Sequence, residues 1–323
     1  MVEERILTVN NVLRNYNWQF IHPYIQEYQI DIILNRYSAN QLTDEFVNDF
    51  FIDNFYNLDS TLSFIDGFFK RSVYFEPFNY FIENSLILCF QRDYAGAINV
   101  LLPCIEGILS RYLETEESID LSRKRYENIK KASWYLKQKL VRKFERINAA
   151  ENLKNPFYEY NKQKEDYLLK QERKYFDDWF DTIEKFMKES LFASTETVNP
   201  TVELNRHEIM HSLALRPYDT LENYIKLFNC LRFLIWVFLQ VENKSILNNI
   251  ETKTFINKRL LYEAIIDQSE KLLPIKNAIL RGYSLNTQIS FSRKISFKSI
   301  FNEYSFKIKL ALRLKVRSLI KNQ

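Results

Sequence analysis

Two of the three histidines in this 323-residue chain stand four residues apart, in the run Leu204-Asn205-Arg206-His207-Glu208-Ile209-Met210-His211. The same letters spell two chemistries. As H-E-x-x-H, a helix would place His207 and His211 about 40° apart on one face to hold zinc, with Glu208 activating a water. A catalytic zinc takes a third protein ligand. The extended form of the motif wants that ligand at 217, which is a proline, and a glycine at 214, which is an alanine. The form that draws a glutamate from a second helix has only Glu222 and Glu242 to offer. Glu222 follows a turn closely and Glu242 lies beyond a hydrophobic helix.

The second chemistry is that of a phosphodiester. If Asn205 caps a helix, Arg206 and His207 take its first two positions and Glu208 closes an Asn-x-x-Glu capping box. Free backbone N–H groups, the positive end of the helix dipole and a guanidinium fork then favour a phosphate. His211, one turn further in, is an imidazole able to move a proton near neutral pH. On an ideal helix Arg206 and His211 point about 140° apart, so they meet on one phosphate through an irregular first turn or a facing second subunit.

The pattern Asn205-Arg206-His207-x-Ile209-x-His211, followed by Tyr218-x-Thr220-x-x-Asn223-x-x-Lys226-Leu227-Phe228, resembles the R-x4-6-H motif and following helix of HEPN domains, the higher eukaryotes and prokaryotes nucleotide-binding family. Upstream, Ala95-Gly96-Ala97-x-x-x-Leu101-Leu102-Pro103-x-Ile105-Glu106-Gly107 is similar to the paired helix of bacterial proteins of this type. Where a glycine often follows the last histidine, Ser212 stands here. The resemblance spans roughly residues 75 to 245 and implies a ribonuclease that needs no metal or other cofactor. The RNA 2′-hydroxyl would attack the adjacent phosphorus, leaving a 2′,3′-cyclic phosphate and a 5′-hydroxyl. By that resemblance His211 is the general acid or base, Arg206 holds the phosphate and His207 is the second proton-transfer or orienting group. Asn205 shapes the helix start, and Glu106 supports it from a facing helix. The expected partners are RNA, a second copy joined through the motif face, and a regulator or antitoxin; the expected role is bacterial antiphage defence or toxicity. A non-catalytic RNA- or partner-binding helical module is the alternative, with the zinc peptidase as a third reading.

What must position such residues is a mostly helical chain. Four glycines and seven prolines are too few for turn-rich β-sandwiches or glycine-rich phosphate loops, and 46% hydrophobic composition can bury a large core. Residues 41 to 56 predict a helix capped by Thr43, with Phe46, Val47, Phe50, Phe51 and Phe55 toward the core. Asn84 to Leu113 predict a stripe of Ile98, Leu101, Leu102, Ile105, Ile108, Leu109 and Tyr112, with Pro103 kinking the helix or starting a new turn. Glu106 falls inside that stripe. Residues 121 to 148 and 157 to 190 read as two antiparallel helices, and Leu221 to Leu239 as the central helix of a bundle. The expected fold is all-α: a HEPN-like bundle of four to five helices over 75–245, an acidic helical region over 1–74, and an extension over 246–323 with a basic tail.

Charge divides unevenly along this plan. Residues 1 to 60 hold nine acids and three bases, while 291 to 323 hold nine bases and only Glu303. Phe291, Phe297, Phe301, Tyr304 and Phe306 interleave with that tail, and Arg293, Lys294 and Lys298 are its candidate RNA contacts. Residues 307 to 317 alternate basic and apolar side chains, a strand-like period in helical surroundings. Cys89, Cys104 and Cys230 have neither zinc nor disulfide spacing and are expected to be inert. The longest apolar run, Leu231 to Leu239, is interrupted by Arg232 and falls short of a bilayer, so a cytoplasmic protein with no membrane contact is expected.

Overall fold

The computed structural model describes residues 2–16, 18, 27–117, 131–143, 145, 170, 174, 177–178, 180–181, 184–191, 204–205, 209–210, 218–244 and 252–280. The protein is all-α: among the described residues there is no strand. Its contacts divide it into two compact units, Met1–Lys271 and Leu272–Gln323. The alternating stretch over 307–317 lies outside the described residues.

The helices are α1 (Val2–Arg14), α2 (Glu27–Ser38), α3 (Asp44–Tyr56), α4 (Leu58–Leu62), α5 (Asn79–Phe90), α6 (Tyr94–Glu117), α7 (Leu221–Val241) and α8 (Thr252–Leu280), with a further helical stretch over 131–143. Local chemistry sets several of their ends. Thr43 accepts from the Phe46 backbone N–H at 3.2 Å to open α3, and Thr220 accepts from that of Asn223 at 3.2 Å to open α7. Arg92 takes a positive φ of 57° after α5. Asp93 then receives the Gly96 N–H at 3.2 Å, so α5 and α6 form a tight antiparallel pair. Between α4 and α5 the chain passes through a π-helical turn, Ser63–Phe68, and a 3-10 turn, Phe69–Arg71.

Pro103 does not start a new helix; α6 runs through it as one helix of 24 residues. The proline sits on an exposed position while Leu101, Leu102, Cys104 and Ile105 are buried around it. That burial outweighs the roughly 3 kcal/mol a helix-interior proline costs. Gly107 earns its place by close approach: a Cβ there would lie 2.4 Å from the Phe78 ring.

Central to the first unit is α7, which packs on α3, α6 and the π-helical turn. By length and composition α7 is also the one described helix that could cross a membrane, since its helical span extends well beyond the apolar run legible in sequence. Yet 78% of that stretch is buried within the protein. In its middle, Arg232 is 1% exposed. Its guanidinium donates to Thr61 Oγ1 at 2.8 Å and lies over the rings of Phe64 and Phe228, at 4.7 and 5.0 Å. Among the described residues no hydrogen-bond acceptor meets its Nε. Burial pushes Arg232 down to about 9, so it stays charged at neutral pH.

A buried cation held by one hydroxyl and two ring faces contributes little net stability. Arg232→Met should therefore be neutral or stabilising. Thr61→Val should cost about 1.5–3 kcal/mol, because it strips the acceptor from a charge that remains buried. Urea unfolding of the two variants checks the order, and a larger loss in Arg232→Met would refute it.

α8 was not legible in the sequence, yet its first two-thirds belong to the first unit. Lys258 donates to Asp66 Oδ1 at 2.8 Å and pairs with Glu83 at 2.5 Å, while the Tyr262 hydroxyl donates to the same Glu83 at 2.6 Å. Burial pulls the Asp66 carboxyl up, but hydrogen bonds from Lys258 and Lys70 outweigh it and hold the group below the ordinary carboxylate range. Burial likewise opposes charge on Lys258, and Asp66 and Glu83 raise it above the usual lysine value. The depressed Asp66 contributes stability at pH above about 4 that is lost on acidification. The raised Lys258 contributes stability below about 10.5 that is lost as pH rises further. The melting temperature should fall off on both sides of that window, and Lys258→Met should flatten both limbs; parallel profiles for wild type and variant would contradict this.

Candidate functional site

Of the residues picked out by chemistry, the structure describes Asn205 and Glu106. Arg206, His207, Glu208 and His211 lie outside the described residues, as do Arg293, Lys294 and Lys298. The flanks of the histidine motif are described. Leu204 and Asn205 are buried, at 3% and 1% exposure, and the backbone N–H of Ile209 donates to the Asn205 carbonyl at 3.0 Å. That is the bond by which a capping residue's carbonyl opens an α-helix. Ile209, in helical conformation, is buried, and Met210 beside it is 40% exposed.

Glu106 is half-buried on α6, with Oε1 shielded from solvent. Its neighbours Ile105, Ile108 and Leu109 are buried, which places it at the edge of the apolar stripe. Downstream, Asn223 is buried in the first turn of α7 and donates from Nδ2 to the Tyr218 carbonyl at 3.2 Å. The Tyr218, Thr220 and Asn223 of the sequence pattern thus form one hydrogen-bonded helix entrance.

The glutamates considered for a zinc site sit at opposite ends of α7, Glu222 in its first turn and Glu242 at its C-cap. Glu242 is already engaged, accepting from Ser72 Oγ at 2.5 Å and pairing with Lys244 at 2.6 Å. Among the described residues no group of three or more His, Cys, Asp or Glu side chains is placed to hold a metal ion. All three cysteines are buried and free. Burial pushes the Cys104 and Cys230 thiols up to about 12, and that of Cys89 up as well, which disfavours the reactive thiolate.

Sequence reasoning missed two polar clusters. One is the Asp66–Lys258–Glu83–Tyr262 network. In the other, Tyr74 donates to Glu116, which also accepts from Lys139 at 2.9 Å. Their members come from distant parts of the chain, so no local pattern announces them. A groove of about 720 Å³ also opens between α2 and α3, where Ile32, Phe46 and Phe50 meet Asp49 and Asp53. Arg36 lies over the Phe46 ring at 4.0 Å. Neither Asn205 nor Glu106 lines this groove.

No protein-family model matches the chain, and neither curated proteins nor solved structures give a match.

Proposed function

We propose that the chain is a metal-independent endoribonuclease of HEPN type, acting in bacterial antiphage defence or as a toxin. The observation that carries the reading is the Ile209-to-Asn205 backbone bond, by which the Asn205 carbonyl accepts as that of a helix-opening residue does. Arg206 and His207 follow Asn205 directly in sequence. There the helix dipole and free N–H groups favour a phosphate. The all-α fold and the capped α7 entrance agree with it.

In this mechanism a histidine, His211 or His207, takes the proton from the 2′-hydroxyl as its oxygen bonds to phosphorus. The bond from phosphorus to the 5′-oxygen breaks, and a protonated partner histidine gives that oxygen its proton. Arg206 neutralises the charge that builds on the non-bridging oxygens. A second copy facing the first through the motif brings Arg206 and the histidines onto one phosphate.

Total RNA incubated with purified protein in EDTA tests the reading. Fragments ending in 2′,3′-cyclic phosphate and 5′-hydroxyl are expected. RNA that is bound but left intact would replace the nuclease with a binding module, and zinc-dependent peptide cleavage lost in Glu208→Gln would replace it with the H-E-x-x-H chemistry.

A further inference from the structure

The helical stretch over 131–143 reads Lys-Ala-Ser-Trp-Tyr-Leu-Lys-Gln-Lys-Leu-Val-Arg-Lys, with five bases and no acid. Three of those bases are spent inside the protein. Lys137 pairs with Asp177, Lys139 with Glu116 at 2.9 Å, and Lys143 donates to the Gln240 carbonyl at 2.6 Å. Ala132, Leu136 and Leu140 are buried and fix which face of the helix turns inward. The opposite face carries Lys131, Trp134, Gln138 and Arg142 at intervals of three, four and four residues, one stripe of an α-helix. Lys131 and Arg142 are exposed and make no ion pair among the described residues. Trp134 is 55% exposed, with its indole set edge-to-face against Tyr135 at 4.9 Å.

An exposed tryptophan is costly to solvate and gains little from the fold. Flanked by two cations that meet no acid among the described residues, over about 16 Å of helix, it has the makings of a stacking platform. We propose that this face binds single-stranded RNA: a base stacks on Trp134 while Lys131 and Arg142 reach phosphates on either side. Stacking on a side chain needs an unstacked base, which a duplex does not offer. The surface takes from the proposed function only that RNA is the ligand, and it names the strandedness of that RNA.

The test is fluorescence anisotropy with a 5′-labelled, unstructured 12-nucleotide RNA in EDTA, in a His211→Ala background that leaves the probe uncut. Trp134→Ala should weaken binding roughly 5- to 100-fold, the range expected for losing one stacked base, and Trp134→Phe should retain most of the affinity. Lys131→Glu and Arg142→Glu should each weaken binding more than Lys271→Glu, an equal charge change on α8, and each should lower the salt slope by about one. Because Trp134 is exposed, its variants should melt with the wild type. Equal affinity in Trp134→Ala and wild type, or a duplex that competes as well as the single strand, overturns the proposal. Cleavage by the wild type with unchanged Trp134→Ala binding would sink this surface alone. Weakened binding in the variants with RNA left intact by the wild type would sink the nuclease alone.

Discussion

Arg206→Ala and His211→Ala are each expected to slow RNA cleavage by about 100-fold or more. A positioned general acid or base supplies roughly 10²–10⁴-fold, and removing one preorganised charge stabiliser from a site of developing negative charge costs about 10²–10³-fold. The two groups act on one transition state, so the double variant should be far less impaired than the product of the single losses. His207→Ala separates its two roles. If it moves a proton, the loss should resemble that of His211→Ala and reshape the pH–rate profile; if it orients the phosphate, KM should rise while the profile keeps its shape. Single-turnover rates on a defined single-stranded RNA decide among these outcomes. Unchanged cleavage in both Arg206→Ala and His211→Ala would assign any nuclease activity elsewhere.

The second large effect is on stability. Phe55 lies at 0% exposure on α3, and its ring meets those of Tyr56, Phe90, Tyr224 and Phe228 at centroid distances of 5.5, 5.7, 5.7 and 5.6 Å. Those partners come from α3, α5 and α7, so the ring ties three helices together. Phe55→Ala removes its apolar surface, its edge-to-face contacts and the filling of a site whose walls are themselves large rings. A loss of about 3–5 kcal/mol is expected, with Phe55→Leu well below that. For a unit of this size each kcal/mol lowers the melting temperature by about 2–4 °C. Thermal and urea unfolding measure it, and a loss under about 1 kcal/mol in Phe55→Ala would show that the aromatic cluster readily collapses.

Nearest-neighbour chemistry was legible. Thr43 caps its helix as the sequence predicts, and Thr220, not singled out as a cap beforehand, opens α7 by the same chemistry, because a cap needs only a side-chain oxygen and an N–H three residues on. The stripe from Ile98 to Tyr112 is buried as its period requires. The Asn205 carbonyl accepts from the Ile209 N–H. Pro103 does not begin a new helix, since its local penalty is outweighed by neighbours that pack only in three dimensions. α8 escaped notice for a related reason. Ile256, Leu260 and Leu261 are exposed while Tyr262 is buried, so its apolar residues do not fall on one inward face. Its part within the first unit is held by ion pairs as well as by Tyr262.

By itself, then, the sequence determined the all-α class, helix starts set by caps, the inward face of the amphipathic helices and the pairing of arginine and histidines in one octapeptide. Each follows from residues within a turn or two of one another. Only the tertiary structure decided that Arg232 reaches Thr61 across 171 positions and that Lys258 reaches Asp66 across 192. It also decided that Lys137 and Lys139 meet acids and Lys143 a carbonyl inside the protein, leaving Lys131 and Arg142 on either side of an exposed tryptophan. Sequence spacing carries helical period, but whether a charge meets an opposite charge, an aromatic face or water depends on chain segments that the local pattern does not encode.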